Sequence, residues 1–230
     1  MATRNADQMK DLGYTQSANH LPNSAIEALL QKHNIESFDK LVEGEELPKF
    51  WLESCGAHTA ANMSVAIVAD PEAWLAKFQT PGGSVPRIPD ILTIWMNTPQ
   101  RAGEILAATG IDPRTLNFMA NEARTIYPYC VKQVFGIIAS YIAKSSFDYV
   151  RTAVLTGYGV QLGLTKDFVT GEAIGHFVGA YDYNPATDEL IYVDPAPYRH
   201  TDGNWWAARM GREEYVQTVS DGVVVYTGEA

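Results

Sequence analysis

A cysteine, a histidine and an aspartate, at positions 55, 176 and 194, lie in surroundings suited to nucleophilic chemistry. Cys55 opens the segment Cys55-Gly56-Ala57-His58, and Met63, Ala66 and Ile67 follow it at helical spacing until Asp70-Pro71 ends the pattern. A thiol in the first turn of a helix meets unpaired backbone N–H groups and the positive end of the helix dipole, both of which favour thiolate. Gly56 and Ala57 leave room for a substrate carbonyl, and the backbone N–H of Cys55 is a donor for an oxyanion. The plain alternative is a buried structural thiol. His176 interrupts the apolar run Ile174-Gly175-His176-Phe177-Val178, and Asp194 closes Leu190-Ile191-Tyr192-Val193-Asp194-Pro195. Read singly, they are a core histidine and a turn-forming aspartate. Read with Cys55, they supply a base and the acid that orients it.

The elements between them give this grouping a geometry. Asn184-Pro185-Ala186-Thr187-Asp188 has the composition of a turn, so the runs on either side form an antiparallel hairpin. A loop of three to five residues then sets His176 opposite Asp194, directly or one diagonal step away, within about 5 to 8 Å between backbones. Upstream the period is 3.6, with helices expected over 71–78, 89–96, 100–109, 113–123, 131–143 and 147–155. Beyond Gly157 it becomes 2, with strands expected over 158–164, 174–183, 190–194 and 222–227. Helices first and an antiparallel sheet afterwards make an α+β fold in two lobes, the helical one over about 50–155 and the β one over about 156–230. Residues 1–45 read as an N-terminal extension: a polar arm to about residue 20, then one helix over 25–30.

Composition narrows the function. The 230 residues are 46% apolar and 19% charged, enough to build one core. A net charge of -10 opposes nucleic-acid binding, which draws its affinity from cations neutralising phosphates, and it opposes attachment to anionic lipid. The first ten residues lack the apolar core of a secretory signal, and no apolar run reaches membrane-spanning length. The chain is therefore expected to be cytoplasmic as synthesised, without stable membrane insertion. Two cysteines are too few for a disulfide scaffold.

Cys-Gly at a helix start, Gly175-His176-Phe177-Val178, Gly179-Ala180-Tyr181-Asp182 and Tyr192-Val193-Asp194-Pro195 together resemble the papain-like cysteine peptidases related to bacteriocin-leader, or double-glycine, peptidases. Gly157-Tyr158-Gly159-Val160-Gln161-Leu162 is similar to the strand that precedes the histidine in that family, and Arg212-Glu213-Glu214-Tyr215-Val216 to its closing helix. The resemblance implies a papain-like fold with a catalytic domain over 46–230. It assigns Cys55 as nucleophile, His176 as general base and then acid, and Asp194 as the residue orienting His176. The implied activity is cleavage of a peptide or amide bond through an acyl-enzyme, without metal or organic cofactor. Peptide, protein or peptidoglycan peptide is the implied substrate, the last through a phage-type lysin that is released or delivered to the wall. One departure stands out: the family carries a glutamine shortly before the cysteine to complete the oxyanion hole, and residues 47–54 contain none. That keeps open an inactive papain-like binding module, while acyl-enzyme chemistry also keeps open a transferase or deamidase.

Other residues compete for the same chemistry. His58, three positions after Cys55, has no second ligand pair to complete a zinc site and reads as cleft-lining or surface. Cys130 reads as core. His20, His33 and His200 lack a distinctive context, Trp205-Trp206 reads as packing, and Gln161 lies on a strand that the resemblance does not place at the oxyanion.

Overall fold

Residues 55–67 are rich in alanine and hold no acidic residue, lysine or arginine. In the computed structural model they form a helix, Cys55–Ile67, with all of its residues buried, as expected for a helix apolar on every face. The structure describes residues 6–15, 55–78, 88–97, 99–113 and 123–230. The expected helix over 25–30, the stretch 47–54 and residues 114–122 of the expected 113–123 helix lie outside them.

In chain order the described helices are α1 (Ala6–Leu12), α2 (Cys55–Ile67), α3 (Pro71–Ala76), α4 (Ile88–Asn97), α5 (Pro99–Thr109), α6 (Ala123–Phe135), α7 (Phe147–Leu155) and α8 (Arg212–Thr218). The strands are β1 (Ile137–Ile142), β2 (Gly159–Lys166), β3 (Ala173–Asn184), β4 (Glu189–Val193), β5 (Ala208–Gly211) and β6 (Val219–Glu229). They form one sheet in the order β1-β6-β2-β3-β4-β5, with every neighbouring pair antiparallel. The expected α+β class is thus observed, with most described helices before Gly157 and the sheet largely after it.

Each face of the sheet is covered. On one side α2, α4 and α6 join Tyr181, Val193, Val224 and Tyr226 in the larger apolar cluster. On the other, Phe147, Val150 and Val154 of α7 and Tyr215 of α8 pack on Val160, Leu162, Val178, Val223 and Val225. The close approach of α2 depends on two strand glycines. A Cβ on Gly179 would lie 2.8 Å from the Met63 sulfur and one on Gly159 3.1 Å from it, so the missing side chains are the space that Met63 fills.

Two expectations are corrected. The 131–143 region is not one helix: α6 ends at Phe135, Gly136 adopts φ +64 and donates its N–H to the Lys132 carbonyl, and Ile137–Ile142 runs as a strand beside β6. A left-handed glycine ends helices in this way, and the β-branched, aromatic Ile137-Ile138-Ala139-Ser140-Tyr141-Ile142 suits a pleated edge better than a helix. Of the expected polar arm, residues 6–15 are described, and they dock on α2 rather than standing apart from the core. Met9 is fully buried, and Asn62 accepts the Tyr14 N–H at 2.7 Å while donating to the Tyr14 carbonyl at 3.1 Å. A lone methionine in a polar stretch leaves no periodicity by which to foresee this.

Candidate active site

Cys55 is the first residue of α2 and is 7% exposed. Two polar side chains fix the first turns of this helix to the sheet. Thr59, one turn along, donates from Oγ1 to the Phe177 carbonyl at 2.9 Å, which anchors α2 next to His176 on β3. Gln161 of β2 donates from Nε2 to the Gly56 carbonyl at 3.3 Å and accepts the Tyr226 hydroxyl on Oε1 at 2.6 Å. Its amide is thus a tie between helix and sheet. On a further side the Tyr127 hydroxyl occupies the place where a side chain at residue 56 would stand, and the Tyr127 and Phe177 rings meet edge to face at 6.0 Å. Burial, and secondarily the charge of Cys55, push the Tyr127 phenol well above its usual range, so it remains a neutral hydroxyl beside the thiol.

The hairpin supplies the other two residues. Gly179 pairs with Val193, and extending that register sets Asp194 across from Val178, with His176 one diagonal step further. His176 Nε2 lies 2.6 Å from Asp194 Oδ1. Burial alone pulls the imidazolium down, but hydrogen bonds with Asp194 and Cys55, and the charges of both, outweigh it and raise His176 to about 9. Asp194 is 2% exposed. Burial works to raise its carboxyl, yet hydrogen bonds from His176 and His200, the His176 charge and the Ala196 N–H hold it well below the ordinary carboxylate range. An ionised carboxylate only accepts, so Nε2 of His176 carries the proton. The other ring nitrogen, Nδ1, is left for Cys55.

All three expected residues therefore converge. Sequence reasoning missed His200, whose Nε2 lies 3.0 Å from Asp194 Oδ2; a histidine in an irregular segment six residues past the aspartate gives no periodic signal. It also missed Thr59 and the tie made by Gln161. His58 is fully buried rather than cleft-lining or on the surface. Cys130 is core, with burial pushing its thiol far up. Trp205 and Trp206 pack edge to face, and their carbonyls accept the Asp194 N–H at 2.7 Å and the Tyr181 hydroxyl at 2.6 Å. Among the described residues no group of three or more His, Cys, Asp or Glu is placed to hold a metal ion, and no helix is long and apolar enough to cross a membrane.

No family model and no curated protein matches the chain. Among solved structures it is similar to the N-terminal peptidase C39-like domain of the toxin secretion ATP-binding protein from Vibrio parahaemolyticus, at 11% identity and a TM-score of 0.30, covering 44% of this chain and 66% of that one. It is also similar to a protein described as a C39-like peptidase from Bacillus anthracis, at 13% identity and a TM-score of 0.33, covering 45% of this chain and 58% of that one. Each likeness spans less than half of the present chain, and the chemistry assigned below rests on the chain's own geometry.

Proposed function

We propose that the chain is a cysteine-type amide hydrolase of papain-like plan, with residues 46–230 as its catalytic domain. The supporting observation is the line of contacts from the thiol at the start of α2 through His176 to the buried Asp194 carboxylate. His176 Nδ1 takes the thiol proton and becomes an imidazolium, which Asp194 stabilises through Nε2. The Cys55 thiolate attacks the substrate carbonyl carbon, and the C=O electron pair moves onto oxygen, where the Cys55 N–H is a donor. As the C–N bond breaks, His176 returns its proton to the departing amine, leaving a thioester on Cys55. Water, deprotonated by His176, attacks that thioester and regenerates the thiol. A net charge of -10 offers no attraction to anionic wall polymers, which favours peptide or protein over peptidoglycan as substrate.

Turnover of a pooled peptide library, read by mass spectrometry for the native chain and for Cys55→Ala, tests this reading. The expected result is complete loss of cleavage in the variant with an unchanged circular dichroism spectrum. Equal cleavage by both proteins would overturn it.

A further inference from the structure

We infer that His200 is a positioning residue for the hydrolysis proposed above, on which this inference rests: it holds the Oδ2 side of Asp194 so that Oδ1 stays aligned on His176. A carboxylate turns easily about its last torsion, where the preference is broad and two-fold. One hydrogen bond to one oxygen fixes its distance to a partner but not its plane. Asp194 is anchored on both oxygens. Oδ1 accepts from His176 and from the Ala196 N–H at 2.8 Å, while Oδ2 faces His200 Nε2 at 3.0 Å.

The segment after Asp194 is folded to present that second imidazole. The Asp194 N–H donates to the Trp205 carbonyl, closing residues 194–205 into a loop. Pro197–Arg199 forms a single 3-10 turn, the His200 N–H donates to the Pro197 carbonyl, and Gly203, at φ +75, returns its N–H to His200. The His200 ring then rests edge-on against Tyr192 at 6.3 Å, with its side chain 15% exposed.

Arg199 is the rival donor, and it is committed elsewhere. Its Nη2 binds Asp167 at 2.8 Å, while its Nε stands 3.7 Å from Asp194 Oδ2, beyond hydrogen-bond range. Among the described residues, the carboxylates of Glu214 and Asp202 also face His200. Neither donates to Asp194 when ionised, which leaves His200, among the described residues, as the side chain that bonds Oδ2.

Alkylation of Cys55 by iodoacetamide, located by peptide mass spectrometry from about pH 5 to pH 10, tests the assignment in the native chain, His176→Ala, His200→Ala and His200→Gln. The native thiol is expected to react fast at pH 6 and the His176 variant slowly. His200→Ala is expected to lose about tenfold at pH 6, the effect of one unit in the ionisation of the pair. It should rejoin the native rate near pH 10, where a thiol ionises unaided. His200→Gln, which keeps a donor at similar reach, is expected to recover to within about threefold. A His200→Ala profile that overlays the native one at every pH, or that is depressed equally at every pH, overturns the positioning role while leaving the hydrolase reading in place. Slow native labelling at pH 6, unchanged in His176→Ala, overturns the hydrolase reading and this inference with it.

Discussion

The Gln161 side chain donates to the Gly56 carbonyl at 3.3 Å, tying β2, one of the two central strands of the sheet, to the first turn of the helix that carries Cys55. Its other end accepts the Tyr226 hydroxyl, and all of Gln161 is buried. Gln161→Leu strips a partner from two buried polar groups at about 1–3 kcal/mol each. A loss of about 2–6 kcal/mol in urea unfolding is expected, with slower alkylation of Cys55 at pH 6 because the first turn is no longer held. An unchanged unfolding midpoint and labelling rate would remove Gln161 from the support of the site.

Gly56 owes its identity to Tyr127. A Cβ at residue 56 would fall within the Tyr127 hydroxyl and 2.8 Å from the carbon that bears it, and Tyr127 is 1% exposed with nowhere to move. Gly56→Ala is expected to cost about 1–3 kcal/mol by overpacking. Adding Tyr127→Phe should restore part of that loss, which a double-mutant cycle in urea measures. Strict additivity of the two substitutions is the contrary outcome.

Proton balance sets the pH limits. His176 is raised in the folded chain from about 6.5 to about 9. The stability it contributes is therefore complete below about pH 6.5 and is lost as pH climbs through about 9. Asp194 is lowered, so its contribution is present above about pH 4, its unfolded value, and is lost as pH falls toward the folded one. Urea midpoints for the native chain and for Asp194→Asn should differ most between these limits and converge below them. Peptide turnover should fall above pH 9, where His176 has no proton for the departing amine, whereas alkylation, which needs no acid, should persist.

Cys130 is the internal control. It is fully buried, its thiol is pushed far up, and it lies in the core cluster beside Val131. Native protein should take up one carbamidomethyl group, on Cys55, and urea-unfolded protein two. Cys130→Ala should lose about 1 kcal/mol and leave Cys55 labelling unchanged; substantial native labelling of Cys130 is the contrary result.

Much of this arrangement was legible because it is periodic. The β3–β4 hairpin could be read from two alternating runs around Asn184-Pro185, and the loop that joins them spans residues 185–188; the diagonal placing of His176 and Asp194 needs in addition the one-residue register shift between Ala180 and Asp182, which the spacing does not encode. α7 was legible to the residue, since Ser146 caps it through the Tyr149 N–H and Gly157 follows its end. The Ile137–Ile142 strand was not, because a six-residue apolar run fits either period and only Gly136 marks the break. His200, Gln161 and Thr59 escaped for a shared reason: their roles come from contacts 6, 105 and 118 residues away in the chain, which no local pattern encodes.

The most direct test is the titration of the His176 ring, followed by NMR in the native chain and in Cys55→Ala. A thiol paired with an imidazole that Asp194 supports gives a midpoint near 9 in the native protein, falling when Cys55 is removed. A midpoint close to the ordinary histidine value of about 6.5 in both proteins would contradict the pairing on which the proposed chemistry rests.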